Sequence, residues 1–165
     1  MGAQGTINLL QFIKKFPLLP PVKNKVIQQD QLMVMMVGGP NNRSDYHSNP
    51  TNEWFYQFKG DMTLKIIENK VFKDVVIREG ESYLLKSNIP HAPQRYNDTL
   101  GLVIEMERPK DAKDSLSWYC SSCKHLMHEV HVRVNDLNTD LLKPIKDFTS
   151  KQQVCLKCKK VHSYE

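Results

Sequence analysis

Two histidines and one glutamate have the residue types of a metal site that leaves positions open for other ligands. His47 and Glu53 are separated by five residues, and Glu53 opens an aromatic-rich segment. His91 lies well downstream, directly after a proline. Two imidazoles and one carboxylate are the protein ligands of non-haem Fe(II) sites, whose other positions accept a substrate and O₂. From residue types alone, two hydrogen-bonded histidines and an exposed glutamate remain an equal alternative.

Four cysteines form a second candidate metal site near the end of the printed sequence. They come as two Cys-x-x-Cys pairs, Cys120 with Cys123 and Cys155 with Cys158. Each pair offers two thiolates from one tight turn, and two pairs complete a tetrahedral sulfur site. Four protein ligands leave no position for a substrate, so we predict a structural role. Zinc and iron both accept this ligand set, and the rival interpretation, two disulfides, is disfavoured in a reducing compartment. Nearby histidines would then be bystanders: His125, His128, His131 and His162.

Three charged residues accompany the first cluster. Arg43 and Arg95 each lie four residues from one of its histidines, and Glu105 lies in an apolar segment. If that segment is a strand, Glu105 and Val103 share a face. A carboxylate on the inner face of a small barrel is costly unless a cation or a hydrogen-bond donor meets it. We expect Arg95 or an amine-bearing ligand to do so; an outward glutamate with surface arginines is the alternative.

Short strands are predicted for most of the chain between residues 31 and 108. Apolar or aromatic segments alternate there with glycine-containing turns, a pattern typical of an antiparallel sandwich or barrel. The predicted strands are residues 31–37, 53–58, 61–67, 71–78, 82–85, 91–96 and 102–107.

Two helices are predicted outside this strand-rich part. Residues 6–16 carry apolar side chains at helical spacing behind Thr6 as a possible cap, and prolines follow. After a polar linker, residues 110–115, comes a unit with the cysteines, a strand near residues 130–134 and a helix over residues 137–148. We therefore expect a barrel with its N-terminal helix in residues 1–110 and a rubredoxin-like metal-binding region packed on it in residues 111–165.

The composition narrows the class of protein. The chain has 165 residues, of which 40% are hydrophobic and 25% charged, which excludes wholesale disorder. The formal net charge of +5 is small for a nucleic-acid binder. The longest apolar run, residues 32–37, is far shorter than the roughly 20 residues of a membrane span, and no secretory signal precedes it. We expect a cytoplasmic protein.

The glycine spacing around the first cluster resembles the two halves of the cupin signature. Residues 47–60 have the pattern His-x5-Glu-x6-Gly, and residues 80–95 have Gly-x10-His-x3-Arg. The resemblance implies a small antiparallel β-barrel, or jelly roll, with the histidines and the glutamate facing its lumen. Where many cupins have a Pro-x-Gly turn, this chain has Lys86-Ser87-Asn88, and Asn88 tolerates the left-handed conformation better than most residues.

Longer blocks resemble the 3-hydroxyanthranilate 3,4-dioxygenase family over nearly the whole chain, and the cysteine tail resembles its bacterial and fungal forms. The blocks are residues 37–43, 45–47, 49–57, 90–95 and 118–120. The resemblance implies a ring-cleaving dioxygenase that acts on 3-hydroxyanthranilate and O₂. The product would be 2-amino-3-carboxymuconate semialdehyde, the precursor of quinolinate in the kynurenine route from tryptophan toward NAD. The catalytic Fe(II) would be held by His47, Glu53 and His91, and a second divalent metal, iron or zinc, by the cysteines.

The same resemblance implies roles for the flanking charges. Arg95 would bind the substrate carboxylate, and Glu105 would accept hydrogen bonds from the substrate amino or hydroxyl group and help remove a proton. Arg43 would stabilise the negative charge that develops on oxygen, and Glu53 would border the substrate as well as the metal. The expected partners are this small substrate and O₂, without nucleic acid or membrane, in a homodimer.

Two other functions remain open on the sequence. A cupin of this kind would also suit another small ligand, such as a different aromatic ring. A nucleic-acid or protein-binding module built on the cysteine region is the other alternative. Such a module would bind polynucleotide with a steep dependence on salt and would not need iron in the barrel.

Overall fold

The computed structural model describes residues 5–15, 24–136 and 139–164. In these residues the chain forms short strands and two short helices, α1 (Leu9–Lys15) and α2 (Leu142–Thr149). The first strands are β1 (Asn24–Gln29), β2 (Leu32–Gly38), β3 (Asn41–Asn42), β4 (Tyr46–Ser48), β5 (Glu53–Lys59), β6 (Met62–Glu68) and β7 (Val71–Ile77). The later strands are β8 (Ser82–Leu85), β9 (His91–Arg95), β10 (Leu100–Met106), β11 (Asp114–Tyr119), β12 (Leu126–Val132), β13 (Gln153–Val154) and β14 (Val161–His162).

Two antiparallel sheets enclose the main core. One has the order β1-β2-β10-β5-β8, and the other has the order β12-β11-β4-β9-β6-β7, with β3 paired to β9. Inward positions alternate with outward ones along β5 and β6, because successive side chains of a strand point to opposite faces. Buried side chains from both sheets meet between them, among them Phe55 and Val103 from one sheet and Leu64 and Ile66 from the other. Each such side chain stabilises the fold by about 1.5–3 kcal/mol.

The predicted fold class, mainly β with antiparallel strands, is confirmed. The seven predicted strands between residues 31 and 108 correspond to β2 and β5–β10, each within about two residues. Asn88 has φ +59° in the turn between β8 and β9, which is the left-handed conformation that the sequence predicts there. The short strands β3 and β4 and the first strand, β1, were not predicted.

Residues 110–115 were predicted to form a linker, and this prediction is wrong for the last two of them. Asp114 and Ser115 belong to β11, which pairs with β4 on one side and β12 on the other. Leu116 and Trp118 on β11 are fully buried and pack with Leu141 and Phe148 in a second apolar cluster. The sheet of the barrel thus continues into the cysteine-bearing part, and the division of the chain at residue 110 stays a prediction.

Both helices begin later than predicted, α1 at Leu9 and α2 at Leu142. The start of α1 is capped by Asn8, whose Oδ1 accepts a hydrogen bond from the Gln11 backbone N–H at 3.0 Å. This is the usual contact of an N-cap amide, and the cap is therefore Asn8 rather than Thr6. The prolines predicted to end this helix lie outside the described residues, as does the predicted start of the second helix at Leu137. Neither described helix is long and apolar enough to cross a membrane.

Candidate active site

His47, Glu53 and His91 lie together between the two sheets. Their ligand atoms are all within 4.8 Å of one another, and all three residues are buried. His47 on β4 and His91 on β9 are paired across the strands of one sheet, whereas Glu53 opens β5 in the other. The distance between His91 Nε2 and Glu53 Oε1 is 3.2 Å. The three residues that the spacing suggested are therefore brought together by strand pairing and by the packing of one sheet on the other.

Each of the three side chains is oriented by a hydrogen bond to a neighbour. Asn49 Nδ2 donates to Glu53 Oε1 at 2.6 Å. The other nitrogen of the His91 ring, Nδ1, lies 3.0 Å from the Ile89 carbonyl oxygen. His47 Nε2 lies 2.7 Å from Asp114 Oδ2. Such contacts fix the rotamers of metal ligands. In each histidine the contact occupies one ring nitrogen and leaves the other one available to a metal.

The electrostatics of the cluster favour a bound cation. Burial lowers the pKa of His47 despite its contact with Asp114, which keeps that ring neutral. Burial also lowers the pKa of His91, but the Glu53 carboxylate more than offsets this, and the net pKa shift is upward. Burial raises the pKa of Glu53, and the charge of His91 outweighs that effect and lowers it. Because a divalent metal can replace the proton that holds this pair together, the donor set fits such a metal.

Arg95 is buried, and among the described residues no carboxylate pairs with it. Its side chain donates from Nη1 to Gln57 Oε1 at 2.9 Å and contacts Met62 Sδ at 3.0 Å. Its Nε has no hydrogen-bond partner among the described residues. Burial lowers the pKa of Arg95 to about 10. A planar guanidinium with free donors in this setting can bind a carboxylate in a bidentate manner.

Glu105 faces the interior, as the alternation with Val103 predicts, and both residues are buried. Burial raises the pKa of Glu105 to about 8, with the negative charge of Glu53 as the next cause. The cation that meets it is Arg108, whose Nη2 lies 3.2 Å from Glu105 Oε2. Of the two groups expected to meet Glu105, Arg95 does not, because it donates to Gln57 instead; an amine-bearing ligand stays a prediction.

Arg43 is held beside the cluster by Asp45, which accepts hydrogen bonds from both Nε and Nη2 of the guanidinium. Burial lowers the pKa of Arg43, but the attraction of Asp45 outweighs this and the net pKa shift is upward. The charges of Glu53 and Glu105 also raise it, which puts the three side chains within electrostatic reach of one another. Arg43 therefore stays a cation next to two carboxylates.

Five residues that contribute to this site were not predicted: Asn49, Gln57, Gly101, Arg108 and Asp114. A Cβ added at Gly101 would lie 2.5 Å from Gln57 Oε1 and 3.4 Å from Arg95 Nη1, so the absent side chain makes room for both. Serine alternates with apolar residues directly after Asp114. This alternation is typical of a strand, but it does not indicate which residue the Asp114 side chain contacts. Long-range hydrogen bonds such as these leave no pattern in local sequence.

A cavity of ≈ 510 Å³ lies against one residue that contacts the site, Arg108. Its wall includes the apolar side chains of Val26, Met33 and Met35 and the guanidinium-bearing Arg108. Met35 also belongs to the core between the sheets, and Arg108 reaches Glu105. The described lining of this cavity includes none of His47, Glu53 and His91, so Arg108 is its connection to the site.

The four cysteines also converge. The Sγ atoms of Cys120 and Cys158 are 3.5 Å apart, and those of Cys123 and Cys155 are 3.6 Å apart. The two turns repeat each other: the backbone N–H four residues after the first cysteine donates to that cysteine's carbonyl in both, at 2.9 and 2.8 Å. A backbone N–H of Cys123 is the largest cause that lowers the pKa of Cys120, to about 5. Ionised thiolates in this arrangement suit a tetrahedral metal site.

The two packed antiparallel sheets give the chain a cupin fold, as two solved structures of similar fold indicate. A protein of Neisseria meningitidis with a solved structure is similar over 62% of this chain and 100% of that chain, with a TM-score of 0.52 and 19% identity. A cupin-2 domain protein of Shewanella frigidimarina is similar over 61% of this chain and 94% of that one, with a TM-score of 0.51 and 16% identity.

Within that class, the chain belongs to the 3-hydroxyanthranilic acid dioxygenase family, whose model matches residues 1–149. Three fungal relatives are named 3-hydroxyanthranilate 3,4-dioxygenase. The one from Meyerozyma guilliermondii is 49% identical over 86% of this chain and 85% of its own length. The one from Neurospora crassa is 46% identical over 86% of this chain and 79% of its own length. The one from Candida albicans is 43% identical over 95% of this chain and 94% of its own length.

Proposed function

We propose that the protein is a dioxygenase that cleaves the ring of 3-hydroxyanthranilate with O₂: the bond between ring carbons 3 and 4 breaks, and each of these carbons gains one oxygen atom. The observation that supports this most directly is the combination of a buried two-histidine, one-carboxylate cluster with a buried cation, Arg95, whose Nε has no hydrogen-bond partner in the described residues. The identity of 43–49% to relatives with that name over most of their length supports the same substrate.

We propose Fe(II) as the metal held by His47, Glu53 and His91. Two imidazoles and a carboxylate suit iron in oxygen-dependent enzymes, and the partners of the three side chains keep each of them in place. When bound, Fe(II) would supply the positions at which the substrate and O₂ are brought together and made reactive. We propose iron or zinc for the four cysteines, in a structural role.

Arg95 would orient the ring by binding its carboxylate. It lies four residues from His91 on the same strand and the same face, roughly 13 Å along β9 at about 3.3 Å per residue. An extended arginine side chain and one aromatic ring together span this distance. Because no carboxylate in the described part of the chain pairs with Arg95, a substrate carboxylate would compensate its buried charge.

Glu105 would take up a proton as the substrate binds. Burial raises the pKa of Glu105 to about 8, which is close to neutral pH. A carboxylate with such a pKa can both accept and return a proton. Its ion pair with Arg108 favours the ionised form that accepts one. The amino and hydroxyl groups of the substrate are the donors that this carboxylate would meet.

Arg43 would stabilise negative charge that develops on oxygen. Asp45 fixes its guanidinium, so little reorganisation is needed when charge appears, which is the condition under which such stabilisation is strongest. Glu53 would border the substrate while it holds the metal. The atoms balance without a further reductant, because both atoms of O₂ enter the product, 2-amino-3-carboxymuconate semialdehyde.

The direct test is an O₂-consumption assay on purified protein loaded with Fe(II) under anaerobic conditions. We expect one O₂ consumed for each 3-hydroxyanthranilate opened, together with the absorbance of the product. Protein loaded with zinc instead of iron is the matched control and should be inactive. Iron bound at the barrel site without turnover would overturn the substrate assignment.

We also propose a cytoplasmic homodimer, on the family resemblance. Light scattering on the eluate of a sizing column tests the dimer, and cell fractionation tests the compartment. A monomer at micromolar concentration would contradict the first, and recovery with membranes or medium the second.

A further inference from the structure

Two buried charged residues, Arg108 and Asp114, form a tightly bonded pair next to the proposed reaction site. Arg108 Nε donates to both carboxylate oxygens of Asp114, at 2.8 and 3.0 Å, and its Nη2 donates to Oδ2 at 2.7 Å. Asp114 is fully buried, and the Arg108 side chain is 11% exposed. A fork of this kind is rigid, because two parallel bonds fix both planes.

Each member of the pair also contacts a different residue of the proposed machinery. Asp114 Oδ2 lies 2.7 Å from His47 Nε2, and Arg108 Nη2 lies 3.2 Å from Glu105 Oε2. The contacts therefore run in a continuous series from Glu105 through Arg108 and Asp114 to His47. One end is a proposed proton acceptor, and the other is a proposed metal ligand.

The two contacts have different physical effects. A carboxylate that accepts a hydrogen bond from one ring nitrogen fixes the tautomer and the orientation of the imidazole and makes its other nitrogen a better metal donor. A guanidinium beside a buried carboxylate holds that carboxylate in one position and compensates its charge. Arg108 also compensates Asp114, which would otherwise be a buried anion beside a neutral ring.

We propose that Asp114 and Arg108 are positioning residues for the ring-cleaving reaction: Asp114 aligns His47 for the metal, and Arg108 aligns Glu105 for the substrate. This inference rests on the proposed function. It also assigns the cysteine-bearing part a contribution to the active site, because Asp114 opens β11, the strand that ends directly before Cys120.

The first test measures binding of Mn(II) to the full chain by electron paramagnetic resonance, with no substrate present. Mn(II) prefers oxygen and nitrogen ligands to thiolates, so it reports on the barrel cluster rather than on the cysteines. In Asp114→Asn, which keeps the shape and one acceptor for Arg108, we expect the affinity for Mn(II) to fall about 10–100-fold. Wild-type affinity in this folded variant would overturn the role of Asp114.

Asp114→Glu keeps the negative charge that balances Arg108. It provides a second test of the carboxylate if Asp114→Asn does not fold. We expect it to fold and to recover part of the Mn(II) affinity that Asp114→Asn loses. If both variants fold and the glutamate binds Mn(II) no better than the asparagine, the carboxylate has no positioning role. The matched control is Glu129→Gln, which removes a carboxylate that bonds Ser117 on the same strand and should leave the affinity unchanged.

Arg108→Lys tests the other contact, because lysine keeps the charge but loses the fork. At saturating Fe(II) we expect kcat to fall about tenfold with KM changed less than threefold, and Mn(II) affinity to stay within threefold of wild type. An unchanged kcat would overturn the role of Arg108. The Mn(II) measurements do not depend on the substrate, so failure of the proposed reaction would be distinguishable from failure of the positioning role.

Discussion

The described residues form two clusters that could hold a metal ion, and these differ in donor chemistry and in surroundings. The barrel cluster has three nitrogen and oxygen donors, all buried, and charged side chains stand beside it. The cysteine cluster has four sulfur donors on two turns, and one of them, Cys158, is exposed. The apolar cluster in the same part of the chain is built from side chains such as Trp118 and Phe148.

This difference follows from the number of coordination positions that each site leaves open to further ligands. Four thiolates complete a tetrahedral shell, so no further ligand or charge is required around them. Three donors leave positions open, and groups that meet an additional ligand must then be held nearby. Buried charge is costly, and the chain concentrates it around the barrel cluster, in Arg95, Glu105 and Asp114. The comparison therefore supports the proposed reactive role of the barrel cluster and the proposed structural role of the cysteine cluster.

The largest expected effect is loss of the barrel metal without loss of the cysteine metal. In His91→Ala, removal of one of three donors should abolish Fe(II) binding at the barrel and reduce turnover to background. Metal analysis should then find one metal ion per chain in place of two. Loss of both metals would contradict the independence of the two sites.

The matched control for that variant is His131→Ala. His131 lies on β12, its side chain is 59% exposed, and its contact is with Glu129. We expect both metals and full turnover to remain, because this histidine belongs to neither cluster.

The second largest effect is expected when the cation beside the barrel cluster, Arg95, is replaced. Arg95→Ala should lower kcat/KM for 3-hydroxyanthranilate by about 100-fold, since a charged hydrogen-bonded pair contributes about 1.5–3 kcal/mol. With 2-aminophenol, which lacks the carboxylate, the same substitution should change kcat/KM much less. Equal losses with the two compounds would remove Arg95 from carboxylate binding.

A smaller effect, on stability rather than on chemistry, is expected at the other cluster. Cys155→Ser breaks the closed sulfur site, and because such metals contribute folding energy directly, Tm should fall by about 10 °C. Hydrogen exchange should locate the loss of protection in residues 114–164. Turnover per barrel-bound iron should fall far less than in His91→Ala, whereas equal losses would mean that the cysteine metal takes part in the reaction.

The control for the sulfur site is Ser121→Ala, an exposed residue between the first two cysteines. It should leave Tm and metal content unchanged, since its side chain is in solvent and the turn is held by backbone bonds of Cys120.

Residue spacing alone was sufficient to predict the cysteine cluster, whereas the barrel cluster also needed the resemblance to the cupin pattern. The cysteines are predictable because each pair is local, and His47, Glu53 and His91 because turns and strand starts of the cupin pattern surround them. The partners were not predictable in the same way. Asp114 reaches His47 across 67 positions of sequence, and Arg95 is paired with Gln57 across 38. Which cation meets a buried carboxylate depends on sheet packing, and Arg108 rather than Arg95 meets Glu105 for that reason.

The smallest expected effect concerns the pH dependence of stability, with the barrel metal removed. Glu105 has its pKa raised from an ordinary 4.5 to about 8, first by burial and next by the charge of Glu53. Between these two values the folded protein keeps a proton that the unfolded chain has released, so its free energy of unfolding decreases as pH rises from about 5 to 8. In Glu105→Gln, which carries no such proton, the fall in Tm across this range should be less steep. Glu129→Gln, which removes a carboxylate on β12, should keep the wild-type slope. If Glu105→Gln has that slope as well, the burial of Glu105 does not lower the free energy of unfolding. The two clusters would then not differ in what their buried charge does to stability.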